Sequence, residues 1–345
     1  MKKLFKNYKI LCLILFTLLL GCSTLVVTIG SVSLKGTDVW KIIINKSLGK
    51  EIFIQEWKTS IEIIVWNLRV PRIIMGMTAG GALALVGILM QCLTKNPLAS
   101  PYILGISAGA STGAVMAILF LGGTFFSVPI GAFVFGTLTA FIVFYFAGAG
   151  GFSSTRLVLI GVAVSSLFSG ITTLMIMMAP NERELQGAIF WMSGSLGGSN
   201  WKYIPFAVIS LGISFLLIYP KYRELNILVT GDENAVALGV DVKKIRILIV
   251  LVSTFLTGVI VANTGIIGFV GLVIPHITRG LVGGNHKRVI PCAILMGGVF
   301  LILTDAVTRT LFVSQEIPIG VITSMFGAPF FLNMLRKKAY RFGGE

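Results

Sequence analysis

Asp305 is the only acidic residue placed deep inside an apolar stretch of this 345-residue sequence. Arg309 follows four positions later, one helical turn on, so the two can neutralise each other on one helix face. One paired carboxylate is not a relay for protons or sodium, which needs a string of titratable groups. Phosphate chemistry is equally unsupported, because no GxxxxGK followed by Ser or Thr occurs, and GxSxG and HExxH are missing too. His276 and His286 are the only histidines. Cys12, Cys22, Cys92 and Cys292 sit singly in or beside apolar runs, with no CxxC pair. The sequence therefore predicts no catalytic residues, no metal site and no resident cofactor.

What can do work is a recognition element. Tyr219–Arg246, YPKYRELNILVTGDENAVALGVDVKKIR, is the one long charge-dense island in the second half of the chain. Within it Thr230 stands at an N-cap position and Glu233 three residues later, the spacing of a capping box. Asp232 and Glu233 put negative charge at the positive end of a helix dipole. Ala235, Val236 and Leu238 supply an apolar side, and Gly239 a C-terminal stop. A helix of about two turns does not stand alone in water. It packs either on its own bundle or on a partner.

The elements around this island are apolar. Hydrophobic residues make up 55% and charged residues 12% of the chain, with mean hydropathy +0.94. Soluble domains carry about 25% charge, so the expected fold class is all-α, a polytopic membrane protein. Runs long enough to span a bilayer lie near Ile10–Val32, Arg69–Gln91, Tyr102–Leu121, Pro129–Ala147, Leu157–Ala179 and Trp201–Tyr219. Past the island come Ile245–Ala262, Gly265–Leu281, Val289–Leu311 and Ile317–Leu335, which makes about ten spans in a single transmembrane domain over residues 1–345. The stretch LLLGCS resembles a lipoprotein signal with Cys22 acylated. Because the run stays apolar through Ile29, it reads instead as an uncleaved first transmembrane helix. Ser33–Asn67 reads as an exposed segment with an amphipathic helix near Val39–Ile44, and Asn181–Ser199 as holding a short interfacial helix.

Glycine spacing adds detail. Gly105, Gly109 and Gly113 recur every four residues and strip one helix face for close packing. Gly265, Gly268, Gly271 and Pro275 describe a short, broken helix.

The net charge of +15 does not point to nucleic acid here, because it is unevenly placed. With ten spans, 18 of the 28 Lys and Arg residues share one side with five acids. They are Lys2, Lys3, Lys6, Lys9, Lys95, Arg156, Lys221, Arg223, Lys243, Lys244, Arg246, Arg279, Lys287, Arg288, Arg336, Lys337, Lys338 and Arg341. That asymmetry makes the side cytoplasmic, with both termini and the island on it.

Four ordered motifs carry a resemblance. RVPRIIMGMTAGGALALVGILMQCLTKNPLASPYILGISAGASTG (Arg69–Gly113) is followed by TGDENAVALGV (Thr230–Val240), GIIGFVGLVIPHITR (Gly265–Arg279) and EIPIGVITSMFGAPFFL (Glu316–Leu332). Together they resemble the FecCD permease family, the membrane subunits of ABC importers for ferric siderophores, haem and cobalamin. They cover most of the chain, with the first helix and Ser33–Asn67 matching least. One departure stands in the island, where relatives often carry Gly-Glu and this chain has Gly231-Asp232-Glu233; either carboxylate can align.

The resemblance implies a type II ABC importer permease fold of ten helices in a bacterial cytoplasmic (inner) membrane, paired with a second permease subunit as a homo- or heterodimer. It also implies a separate dimeric ABC ATPase and an extracytoplasmic substrate-binding protein. Segment 220–246, with Thr230, Gly231, Asp232, Glu233, Ala235, Leu238 and Gly239, would couple to the ATPase. Arg69 and Arg72 of the RxPR motif, and Arg309, would meet acidic residues of the binding protein. From the residues alone, interfacial anchoring of Arg69 and Arg72 and pairing of Arg309 with Asp305 stand beside that role. An ion-gradient-driven secondary transporter is the alternative function, and it would need buried titratable groups beyond Asp305. Iron–siderophore is the expected cargo, on the family's commonest substrate class, with haem and cobalamin behind it.

Overall fold

The computed structural model describes residues 7–30, 32, 34–124, 127–148, 153–311 and 316–337. Lys2, Lys3, Lys6, Lys338 and Arg341 of the charge count lie outside them. The described elements are helical: α1 (Tyr8–Thr28), α2 (Gly36–Leu48), α3 (Thr59–Thr94), α4 (Ile106–Phe120), α5 (Ser127–Gly148), α6 (Ser154–Met177), α7 (Glu182–Met192), α8 (Ile204–Leu228), α9 (Asp232–Ala237), α10 (Val242–Thr264), α11 (Val270–Val282), α12 (His286–Leu311) and α13 (Ile319–Lys337).

Seven of these (α1, α3, α5, α6, α8, α10 and α12) are long and apolar enough to cross a membrane. The shorter apolar helices α4, α11 and α13 bring the total to the ten expected. The remaining three lie at the ends of the bundle, and α2 and α7 are the two short helices anticipated outside the spans.

α3 is the hub. It is buried along almost its whole length from Ile73 to Thr94 and touches α12, α11, α10 and α8. Small residues permit this. A Cβ on Gly80 would land on the backbone of Gly297 in α12, and a Cβ on Gly297 would land on that of Gly80. Lipid offers apolar helices no hydrophobic drive to associate, so such backbone-to-backbone approach is what holds them. The predicted stripe behaves the same way, with Gly109 and Gly113 of α4 pressed on the backbone of α5 at Phe135 and Gly131.

The broken helix is also present. α11 has 13 residues, which at 1.5 Å per residue falls well short of a ~30 Å bilayer core. The unwound stretch 265–269 precedes it, and backbone there must find partners without water. The Tyr102 hydroxyl supplies two, donating to Ile267 O at 2.7 Å and accepting from Ile267 N–H at 3.1 Å.

Three expectations need correction. Ser33–Asn67 is not simply exposed: Val39, Ile42 and Trp57 are buried in a small outer cluster with Val26, Val27 and Val65. α3 also begins ten residues before Arg69. Its first part holds a π-helical stretch, Ile63–Arg69, in which Val70 N–H bonds Val65 O. That widening absorbs Pro71, which would otherwise clash with the preceding turn. Finally, Cys12 and Cys292 do not sit singly, since their sulfurs lie 3.2 Å apart as free thiols. α1 itself runs unbroken through Cys22.

Candidate functional sites at the two ends of the bundle

Contacts between distant residues define two ends. At one, Lys95 after α3 meets Asp232 of α9, Asn226 of α8 meets His286 of α12, and Ser154 of α6 bonds Leu93 O. At the other, α1, α3, α12 and the start of α13 converge, and Trp201 donates to Trp66 O at 2.7 Å.

α9 occupies that first end. α8 continues into the charged island as far as Leu228, with Leu225 and Leu228 in the main core, so the island begins as helix and not as loop. The capping box does not form. Thr230 turns its hydroxyl back to Ile227 O at 2.7 Å and closes α8 instead. The N-cap falls to Gly231, at φ +123°, a backbone conformation L side chains rarely adopt. Asp232 and Glu233 then occupy the first turn, where the dipole favours their charge.

The C-terminal end follows the sequence. Gly239 takes φ +77°, its N–H bonds Val236 O at 2.9 Å, and Val240 N–H bonds Ala235 O at 2.9 Å. Those two bonds form a Schellman motif.

The apolar residues of α9 split between two faces. Ala235 is fully buried, whereas Val236 and Leu238 are 65% and 67% exposed. The two carboxylates divide as well. Asp232 lies 2.9 Å from Lys95 Nζ and accepts from Arg246 Nη2 at 2.5 Å. Burial works against its charge, but the bonds from Lys95 and Arg246 outweigh that and hold the carboxyl below the usual carboxylate range. Glu233 is exposed. One acid therefore fixes the helix to the bundle, and the other faces outward.

The second end reverses this arrangement. Arg72 wraps Asp305, with Nε 2.8 Å from Oδ1 and Nη2 2.8 Å from the same oxygen, and also pairs with Glu316. Arg309 reaches Asp305 Oδ2 at 3.1 Å, the expected one-turn pair, and donates to Ile29 O at 3.1 Å. Arg69 donates to Val27 O in the last turn of α1 at 2.7 Å and to Val32 O just beyond it at 2.6 Å. Asp305, 1% exposed, is thus committed to two arginines. The side chains of Arg72 and Arg309 are only 12% and 9% exposed, and Arg69 is buried. The structure brings the three arginines together but turns their charge inward, a departure from simple interfacial anchoring. Glu316, with a side chain 37% exposed, is the group of this cluster nearest solvent. Its partnership with Arg72 carried no local sequence signal.

Comparison with known proteins places this architecture. Residues 13–337 match the sequence model of the FecCD transport family. The chain is 39% identical over 283 residues to the cobalamin import system permease protein BtuC of Halobacterium salinarum, covering 81% of this chain and 75% of that one. It is 38% identical over 280 residues to the Fe(3+)-citrate import system permease protein YfmD of Bacillus subtilis, covering 80% and 82%. A solved ABC transporter assigned to the metal-chelate type, in an inward-facing conformation, superposes with TM-score 0.83 at 31% identity. That match covers 96% of this chain and 100% of that one.

Proposed function

Because this chain belongs to the FecCD transport family, the permeases of ABC importers for iron chelates, haem, cobalamin or related substrates, we propose that it moves an iron–siderophore chelate into the cytoplasm. ATP hydrolysis belongs to a separate chain, an extracytoplasmic binding protein delivers the cargo, and permeases of this kind typically pair. An iron chelate is chosen on the ferric citrate permease, 38% identical, which stands beside the cobalamin permease at 39%. The bundle sits in a bacterial cytoplasmic membrane as one permease domain, with both termini and α9 facing the cytoplasm.

The observation that carries the coupling assignment is the orientation of α9. A two-turn helix exposes Val236 and Leu238 while Ala235 and Asp232 fasten it to the bundle. Apolar side chains displayed on a fixed helix suit insertion into a cleft of the ATPase. In this reading Leu238 and Val236 enter the cleft and Glu233 meets the partner's polar rim. Thr230 and Gly231 set the joint with α8, and Gly239 sets the exit toward α10.

The binding protein lands on the opposite end. Arg69, Arg72 and Arg309 shape that surface from beneath by joining α1, α3, α12 and α13, and Glu316 reaches it. A second permease subunit suits α6, whose Ser166 and Ser169 are exposed near mid-span. Hydroxyls there are better placed against protein or an aqueous path than against lipid.

The test is uptake into proteoliposomes holding the permease, its ATPase and loaded binding protein. ATP-dependent, vanadate-sensitive accumulation of a ferric siderophore, with haem and cobalamin excluded, supports the cargo assignment. Accumulation of haem or cobalamin instead replaces it.

A further inference from the structure

α5 and α10 pack against each other along the bundle and leave a groove between them. The groove is closed at the end away from α9. There a Cβ on Gly258 would stand 3.1 Å from the Phe133 ring. Phe255 meets Phe133 edge-on with centroids 6.4 Å apart, and Phe206 of α8 meets Phe255 the same way at 6.2 Å. From those rings toward the α9 end runs a space of about 420 Å³, within the ~300–1,000 Å³ of small-ligand pockets. Phe141 and Phe144 of α5 face Ile247, Val250, Leu251 and Phe255 of α10 across it. Phe141 and Leu251 are exposed, so the groove opens on the outside of the bundle. Thr137 and Thr254 also line it, but their hydroxyl oxygens are buried, so the wall a guest meets is apolar.

The row on α10 continues to a cation. Phe255, Leu251, Ile247 and Lys243 are spaced four apart and share one helix face. From Phe255 to Ile247 the helix rises ~12 Å, and Lys243 lies ~6 Å further on. Lys243 is exposed and makes no ion pair among the described residues. Its neighbours Lys244 and Arg246 are held by Asp241 and Asp232. A helical side chain leans toward the helix N-terminus, so this ammonium extends beyond the apolar row to the membrane surface. A protein partner would have to bring both an apolar side chain and an acid to this place. A lipid with an anionic head carries both by its nature.

We propose that the α5–α10 groove seats one acyl chain of an anionic phospholipid whose phosphate is met by Lys243. The chain end lies against Phe133 and Phe255, and the head stays at the surface. Arg246, on the same turn of α10 as Lys243, holds Asp232 of α9. A seated lipid would therefore brace the helix to which α9 is fastened.

Binding is tested on the full-length permease alone, whatever its cargo. Purified permease in detergent is titrated with phosphatidylglycerol or phosphatidylcholine of matched chains, and retained lipid is counted by native mass spectrometry. A phosphatidylglycerol with a diazirine on its acyl chain locates the site by photolabelling. Wild type should retain phosphatidylglycerol in preference to phosphatidylcholine, with the label on peptides of α5 and α10. Lys243→Gln should weaken phosphatidylglycerol binding about fivefold, the worth of one basic residue at an anionic lipid surface, and leave phosphatidylcholine unchanged. Leu251→Trp, which fills the groove with an indole, should lower retention of both lipids. A melting temperature near wild type shows that each variant folds, and Lys243→Gln decides alone if Leu251→Trp does not. Equal retention of the two lipids, an unchanged preference in folded Lys243→Gln, or label confined to other helices overturns the proposal. A permease dimer that blocks labelling of α5 and α10 gives the groove to a second copy and overturns it too.

Discussion

The two ends of this bundle display their side chains in opposite ways. At one end α9 fastens itself through Asp232 and Ala235 and leaves Val236, Leu238 and Glu233 in the open. At the opposite end three arginines and Asp305 are folded into one another and into the last carbonyls of α1, with Glu316 at the margin. The contrast separates two uses of charge. A carboxylate that anchors a displayed helix supports recognition indirectly. Arginines buried in an ion cluster hold a mouth in shape and have little free surface left for a partner.

If that contrast is right, damage at the opposite end should appear first as lost stability. Asp305→Asn removes the acid shared by Arg72 and Arg309, leaving Arg309 without its ion-pair partner and Arg72 with Glu316 alone. Breaking a buried pair from one side costs about 3–5 kcal/mol. Thermal unfolding in detergent should show a large drop in melting temperature, with poor yield. A melting temperature near wild type would mean the cluster is not a structural tie.

Asp232→Asn should have a smaller effect of about 1 kcal/mol, since the pairs it breaks are partly solvated. Its signature is in the pH dependence. The folded carboxyl sits below its unfolded value, so its contribution is complete above about pH 4 and fades as pH falls through the lowered pKa. Melting followed from pH 7 downward should therefore lose part of its acid-side slope in the variant. An identical slope in both proteins would show that Lys95 and Arg246 do not hold this acid.

The smallest effect belongs to Glu316→Gln. Its side chain is 37% exposed and tied to Arg72 alone among the described ion pairs, so stability should change by less than about 1 kcal/mol. Binding-protein association should speed or slow with a salt dependence that wild type does not share, since rim charges act on the on-rate. On-rates equal to wild type across a salt series would place the landing surface away from this margin.

These distinctions show what could be read from residue order. Spans were legible because lipid demands long apolar runs, and even α7 and α2 left amphipathic traces. The close α4–α5 pair was legible from Gly109 and Gly113, whereas Gly105 falls just before α4 at φ +70°. Gly239 was legible too, since few residues end a helix as glycine does. Pairings across the chain were not. Arg309 lies one turn from Asp305 and announced itself, but Arg72 reaches the same acid from 233 residues away. The capping box failed for a local reason, because a Thr hydroxyl can bond backwards as readily as forwards, and Ile227 O was free to take it. The same four letters, TGDE, also could not say which carboxylate turns inward, since that depends on Lys95 and Arg246 arriving from other helices.

The central claim is that α9 is a displayed docking element whose apolar face belongs to the ATPase. It is tested most directly by Leu238→Asp, at a position 67% exposed in this chain. The variant's melting temperature should match wild type, because the new charge faces water in the isolated permease. In complex with the ATPase the same carboxylate would be buried without a partner, at a cost of several kcal/mol. The measurement is co-purification of the ATPase with tagged permease, wild type against variant. Loss of the ATPase from a normally folded variant is the predicted result. Full recovery of the ATPase, with uptake intact, would contradict the account.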